Sequence, residues 1–449
     1  MGSAFSTLNP EQLLDLALQA GASDAEVYAS QSRSQPVIFE ANRLRQVESV
    51  ESAGVALRVW SRGRCGLAVA CGPVDARQLV DKALAASQFG RLEEPLLPAR
   101  APASWTVPPL DIAVEQLVEW GRQGIAQLRD RHPDLICNSE WSLDRDASRT
   151  IDSRGLDYSF VDWSLEGYLG AEWIRGDDFL GVEAGQTDAP RPGQPSRTMQ
   201  LDRWVEAIAR QLRWAEETVA IAPGRYPVIF LPSAIDTLVD TAIAALNGRQ
   251  VYRRASPWCD KLGDRVTSPL LSLSQQPLLG PYGVPFDDEG TPTRALDWIV
   301  EGQLRHWFCD RRHVQLLGCD PTGNGFRGGL NHYPAPGLYN AILPAPQLSF
   351  ADLLAKLDRG IVVERGMGNG GDLSGDFSIA VELGYWVERG SIVGRIKDTM
   401  VAGNAYSTLQ QAIALGAAPD GIEPCGREWA GAYLAPAFLV EALSAIAPV

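Results

Sequence analysis

Histidine is scarce in this sequence, with four in 449 residues, and there is no long apolar run, no repeated cysteine spacing and no excess of positive charge. Each shortage excludes something. His132, His306, His313 and His332 supply histidine-based catalysis thinly, and neither H-E-x-x-H nor a G-x-S-x-G nucleophile elbow occurs. No stretch reaches the ~18 apolar residues that a membrane-spanning helix needs. Seven scattered cysteines, an odd number, argue against a disulfide framework and for reduced thiols in a cytoplasm. A net charge of −15 repels nucleic acid and anionic membrane, so neither is expected as a partner. The first residues lack a basic segment followed by an apolar one, so no secretory signal is expected. Gly2 and Ser6 of "MGSAFS" meet the loose myristoylation pattern, a short and unspecific match.

What is present is an ordinary globular composition, 45% hydrophobic and 21% charged, long enough for two domains. Asn9 and Pro10 form a helix start, the Asn as cap and the Pro in the first turn. "GVALRVWSRGRCGLAVACG" reads as a hairpin turning at "SRGR". "VDARQLVDKALAASQ", residues 112–130 and "TMQLDRWVEAIARQLRWAEET" have helical period. Residues 91–110 carry five prolines and read as an extended linker. The fold class expected is α+β: an N-terminal mixed α/β domain over residues 1–221, then a strand-rich C-terminal domain over 222–449 with a curved antiparallel sheet or open barrel. The last stretch, "AYLAPAFLVEALSAIAPV", reads as a core-packing terminal helix.

The glycine-rich "GMGNGGDLSGDFS" (366–378) is the first candidate for chemistry. A phosphate loop would need a lysine and a following helix; here a strand pattern follows, and Asp372 and Asp376 would repel phosphate. A tight strand-to-strand loop with accessible backbone remains, its aspartates closing Asx turns. "HWFCDRRHVQLLGC" gathers His306, Cys309, His313 and Cys319, residue types that bind zinc. Their spacing is not a usual structural-zinc spacing, and buried thiols with surface imidazoles are the alternative. Asp287 and Asp288 in "PFDDEGTPTR" read as a solvated turn. "LNHYPAPGLYNAILPAP", with Tyr333, Leu338, Tyr339 and Ile342 between prolines, is either a docking surface or a loop covering a sheet.

Several segments together resemble the TldD/PmbA family, and within it the PmbA (TldE) branch: "GVALRVWSRGRCGLAVA", "NGRQVYRRASPWCDKLGDRV", "PFDDEGTPTRALDWIVEGQL" and, above all, "GDLSGDFSIAVELGYWVERGSIVGRIKDTMVAGN". The resemblance spans roughly residues 10–449. It implies a cytoplasmic peptidase assembly in which TldD-like and PmbA-like subunits pair, and the TldD-like subunit holds zinc or a similar metal through H-E-x-x-x-H on the central helix. Aligned on "LNG", this sequence places Val239, Asp240 and Ala244 at the first His, the Glu and the second His. An aliphatic side chain and a methyl group cannot ligate metal.

The function expected from the resemblance is a non-catalytic PmbA/TldE-like subunit, with no cofactor of its own, that encloses unfolded or extended peptides and docks a metal-bearing TldD-like partner as a heterodimer. The alternative is a homodimeric protein of the same fold that binds peptides without hydrolysing them. Gly368, Asn369, Gly370, Gly371, Asp376 and Asn404 are the candidate rim of the substrate cleft, where an extended chain could add to a sheet edge. An older "gyrase modulation" label for the family fits poorly with the net charge, which opposes direct DNA contact.

Overall fold

The computed structural model describes residues 9–73, 75–97, 103–191, 199–343, 348–369, 372–419 and 433–447. Gly2 and Ser6 and the loop glycines Gly370 and Gly371 lie outside them. Helix α1 (Pro10–Gln19) begins as Asn9 and Pro10 dictate, with the Asn9 side chain accepting the Gln12 N–H at 3.0 Å. Strands β1 (Asp24–Glu40), β2 (Arg43–Val47), β3 (Val50–Ser61) and β4 (Arg64–Cys71) follow, then α2 (Ala76–Ser87). The β3–β4 turn is the expected hairpin: Arg62 and Gly63 both take positive φ, 51° and 71°, as a two-residue turn of matching twist requires. Beyond it come β5 (Trp105–Thr106), α3 (Val114–Arg131), β6 (Ile136–Asp152), β7 (Asp157–Arg175), β8 (Asp178–Asp188) and α4 (Leu201–Trp214). Short β5 pairs with β7, so the proline-rich stretch is not wholly an unpaired linker.

Among the described residues these strands form one sheet in the order β4-β3-β1-β6-β7-β5, with β2 on β1 and β8 on β7. Its two faces differ in chemistry. Ala25, Val27 and Ala29 of β1, Val55, Leu57 and Val59 of β3 and Ile151 of β6 pack against α1 and α2. Farther along, Val37, Phe39 and Trp141 pack with α3 and α4. The intervening positions of β1 are Glu26, Tyr28, Ser30 and Ser32, a polar face that meets the second half of the chain.

That half runs through β9 (Thr218–Val219), β10 (Gly224–Phe230), α5 (Asp236–Leu246), α6 (Gly248–Tyr252), β11 (Leu273–Gln275), β12 (Leu296–Val300), β13 (Gln303–Leu304) and α7 (Arg311–Leu317). It continues with β14 (Gly325–Phe326), β15 (Ala335–Pro336), β16 (Ala341–Ile342), α8 (Phe350–Ala355), β17 (Arg359–Asn369), β18 (Asp376–Glu388), β19 (Ser391–Ile396), β20 (Met400–Asn404), α9 (Ala405–Gln410), β21 (Ala412–Gly416), β22 (Tyr433–Leu434) and β23 (Ala437–Ile446). Strands β17, β10, β23, β20 and β18 pair in that order and β18 pairs back to β17, which closes a five-stranded barrel. The fold is thus α+β, strand-rich in its second half. Alternation along the barrel strands sends Phe230, Val363, Phe377, Ile379 and Phe438 into one core. Ile229, Val362, Tyr385 and Leu439 enter another, shared with Trp204, Ile208 and Leu212 of α4. Arg210 of α4 adds a bidentate ion pair to buried Glu364 of β17, at 2.6 and 3.1 Å, with the Tyr385 hydroxyl donating to the same carboxylate at 2.8 Å.

One expected element is corrected. The stretch that reads as a terminal helix forms strand β23, between β10 and β20. "AFLVEALSAI" is apolar enough to satisfy a helical face, but its buried positions alternate after Val440, and two partners distant in sequence offer it hydrogen bonds along both edges.

Candidate functional site: an acidic turn between two cavities

The polar face of the first sheet is laid out in rungs set by strand register. Arg58, Glu26 and Asp152 stand side by side; next come Ala56, Tyr28, Thr150 and Tyr158; then Gly54, Ser30, Ser148 and Phe160; then Ser52, Ser32, Asp146 and Asp162. Residues 284–289 and 326–339 of the second half lie over these rungs and leave two cavities. The larger, about 420 Å³, lies at the Arg58 end and is also lined by Trp60, Cys65, Glu93, Arg312 and Tyr333. The smaller, about 300 Å³, lies over the serine rungs beneath Phe286, Phe326 and Tyr339.

The turn Asp287-Asp288-Glu289 separates them. Asp287 is 2% exposed and accepts three backbone N–H groups, from Glu289 at 3.0 Å, Thr291 at 2.8 Å and Gly325 at 2.8 Å. Half-buried Asp288 takes the Arg327 N–H at 2.7 Å and lines the smaller cavity. Glu289 takes the Arg311 N–H at 2.7 Å and lines the larger one. Burial pushes all three carboxyls up. For Glu289 the carboxylates of Asp287 and Asp310 add to that shift; for Asp287 the N–H donors from Gly325 and Thr291 oppose it. Asp287 and Asp288 were expected in a solvated turn, and the structure corrects this. The turn chemistry itself is as read, because Asp287 closes it through its own side chain. What sequence hides is that the turn docks onto a sheet face more than a hundred residues away.

Buried charge of the opposite sign holds the turn in place. Glu26, 2% exposed, binds Arg58 at 2.7 Å and Arg327 on its other oxygen, so it joins the first sheet to the second half. Arg327 also stands over the Tyr28 ring, its guanidinium carbon 4.9 Å from the centroid, and Arg58 over Trp60 at 4.6 Å. Burial alone would raise the Glu26 carboxyl, but the two guanidiniums outweigh it and hold it below the usual carboxylate range. Sequence reasoning missed Glu26, Arg58, Arg327 and Glu289. The signal available was a strand, "DAEVYASQS", whose alternate positions are polar although both its faces are covered.

The other candidates are placed as follows. The glycine-rich stretch is the β17–β18 hairpin loop: Gly368 pairs with Ile379 and Asn369 with Ser378. Asp372 closes an Asx turn onto the Ser374 N–H at 2.8 Å, and Asn404, which caps α9, donates to Asp376 at 2.9 Å and to the Ser374 carbonyl at 3.0 Å. These bonds tie the loop to itself and to α9. On α5, Val239 is buried beside an apolar gap of about 20 Å³ with Leu271, Ile299 and Leu409, whereas Asp240 and Ala244 lie on the half-buried face of the helix. Cys309 and Cys319 come together, Sγ to Sγ 3.7 Å. His306 is turned away onto the Asp297 carbonyl at 2.9 Å, and His313, buried rather than on the surface, bonds Asp310 at 2.6 Å. Among the described residues no group of three or more His, Cys, Asp or Glu side chains is arranged to hold a metal. The proline-flanked 330–346 stretch packs inward where described: Leu338 is in the core, Tyr339 lies on Phe326 at 4.3 Å, and Ile342 pairs with Ser274. No helix among the described residues is long and apolar enough to cross a membrane.

Comparison with known proteins adds to this geometry. A family model described as the PmbA/TldA metallopeptidase C-terminal domain matches residues 223–446, and one for domain 1 of the same metallopeptidases matches 25–87. The metalloprotease PmbA of Escherichia coli O157:H7 is 25% identical over 421 residues, 89% of each chain. Two solved structures share the fold. TldE from Thermococcus kodakarensis superposes with a TM-score of 0.84 at 21% identity, over 98% of this chain and 99% of that one. A protein of Thermotoga maritima described as a putative modulator of a DNA gyrase gives 0.80 at 21%, over 97% and 99%.

Proposed function

The chain belongs to the PmbA/TldD metallopeptidase family, and from that premise we propose that it is the non-catalytic, PmbA/TldE-like member of a two-subunit peptidase, enclosing extended peptide and docking a metal-bearing TldD-like partner. The observation that carries this reading is the chemistry of α5. Val239 offers no lone pair and is packed in the core, Ala244 offers a methyl group, and Asp240 alone cannot complete a metal site that needs three protein ligands. The residues at this position therefore do not fit a catalytic metal, and hydrolysis is assigned to the partner.

Two further features support the reading. Strand β17 runs on past β10, whose pairing to it ends at Val363, so among the described residues β18 is the paired neighbour of Gly366–Asn369 and an extended peptide could add along the other edge. On the barrel surface Met367, Met400 and Ile446 are 64%, 39% and 53% exposed and fall on one rung, linked through Ala380, a row of apolar side chains suited to a protein partner. The test is a peptidase assay on purified chain with added zinc. No cleavage is expected alone, and cleavage is expected on mixing with a TldD-like subunit. Chelator-sensitive cleavage by this chain alone would overturn the proposal. Sedimentation of the mixture separates a mixed dimer from the alternative, a homodimeric peptide-binding protein.

A further inference from the structure

The smaller cavity has no role in the reading above, and its lining has a consistent chemistry. Its floor is the hydroxyl rungs of β1 and β6: Ser30, Ser32, Ser148 and Thr150. Its walls are aromatic. Phe286 meets Tyr158 edge-on at 4.9 Å and Phe160 at 6.1 Å, Phe326 lies against Tyr339, and Tyr28 closes the side toward the acidic turn. The charged residues lining it are Asp146, at the exposed rim, and Asp288, at the inner end; no lysine, arginine or histidine does so. The guanidinium of Arg327 lies over the Tyr28 ring and is already paired with Glu26.

Rings with electron-rich faces, two carboxylates and a set of hydroxyl acceptors favour a positive charge on an apolar stem. We propose that this cavity binds the cationic side chain of a lysine or arginine in an extended peptide, an inference that rests on the peptide-binding reading and names a residue class for it. At about 300 Å³ the cavity is at the small end of ligand pockets, suited to one side chain rather than a folded ligand. The strands of its floor are paired on both edges, β1 between β3 and β6, so the peptide cannot be read there by main-chain addition. Recognition at this place goes through the side chain: Asp288 and Tyr339 meet the ammonium or guanidinium, and the floor hydroxyls accept its N–H groups.

The probes are N-acetyl-lysine methylamide and N-acetyl-norleucine methylamide, which share a stem and differ in charge. Binding is followed by titration NMR on the full chain. The lysine probe is expected to bind at least about tenfold more tightly than the norleucine probe. Asp288→Asn, which keeps an oxygen for the Arg327 N–H, is expected to remove that preference while norleucine binding stays the same. Tyr339→Leu is expected to weaken the lysine probe and serves as the second variant should Asp288→Asn fail to fold. Equal binding of the two probes, binding of neither, or a preference unchanged in both variants overturns the proposal. Loss of the cage with partner-dependent cleavage intact leaves the subunit reading standing. A selective cage in a chain that cleaves alone with chelator sensitivity removes the subunit reading and leaves the cage.

Discussion

Replacing Glu26 by glutamine is expected to destabilise the chain by about 3–5 kcal/mol, because it breaks a buried charge network by removing its centre. The carboxylate has one guanidinium on each oxygen, and their side chains are 11% exposed for Arg58 and 3% for Arg327. Arg58 borders the 420 Å³ cavity and can recover some hydration there; Arg327 has no such outlet, so most of the loss comes from its uncompensated charge. Arg327→Met is expected to cost less, about 1–3 kcal/mol, because it leaves Glu26 paired with Arg58. The double variant should fall well short of the sum, the mark of two residues in one network. Urea unfolding followed by tryptophan fluorescence reads all three. The pH dependence gives an independent check. With a folded pKa held down by its partners, Glu26 stabilises fully above its unfolded value of about 4.3, and the effect fades as pH falls through the folded value. The Glu26→Gln penalty should therefore shrink in acid. A penalty below about 1 kcal/mol at pH 7, or one that does not change with pH, would refute the assignment of Glu26 as the tie between the halves.

Glu289 has the opposite sign. Its carboxyl is pushed up by burial and by Asp287 and Asp310, so the folded chain keeps a proton that the unfolded chain has lost, and stability declines as pH rises above about 4.3. Glu289→Gln, able to accept the Arg311 N–H, should be more favourable at pH 8 than at pH 5 by about 1–2 kcal/mol in urea unfolding; equal effects at both would refute the shift. Gly375→Ala should cost roughly 1–3 kcal/mol, since φ is +77° and a Cβ would stand 2.5 Å from the Tyr406 ring, which Trp258 backs at 5.6 Å. A thermal midpoint like that of the parent chain would show that the loop yields. Met367→Glu and Met400→Glu should change stability by no more than about 0.5 kcal/mol, yet weaken association with a TldD-like subunit in sedimentation. Unchanged association would move the docking surface elsewhere.

The parts of the fold legible in sequence were those decided within a few residues. Asn9-Pro10 starts α1, Arg62-Gly63 turns the β3–β4 hairpin, and the apolar stripe of residues 201–212 marks α4, because capping, positive φ and helical period are local properties. The glycine-rich loop was legible for the same reason: five glycines followed by alternation can only join two strands closely. Barrel closure was not legible, since β10 pairs with β17 and β23 across more than a hundred residues. The acidic turn failed in an instructive way. Asp287 and its neighbours have a solvated turn's composition, and only the polar face of a distant sheet, itself supported by Glu26, makes burial tolerable. The positions on α5 were chosen by resemblance, and the structure supplies their surroundings, with Val239 turned into the core.

The place of β23 in the barrel bears on biosynthesis. Until residues 437–446 leave the ribosome, β10 and β20 each have a bare edge, although both were translated earlier, and β21 lacks its partner. A nascent chain stalled or cut before that point would present two templates for pairing with another chain, the condition that favours swapping and aggregation. Termination of translation before residue 437 should therefore be more damaging than the number of residues lost would suggest, leaving an open sheet for quality-control proteases to find.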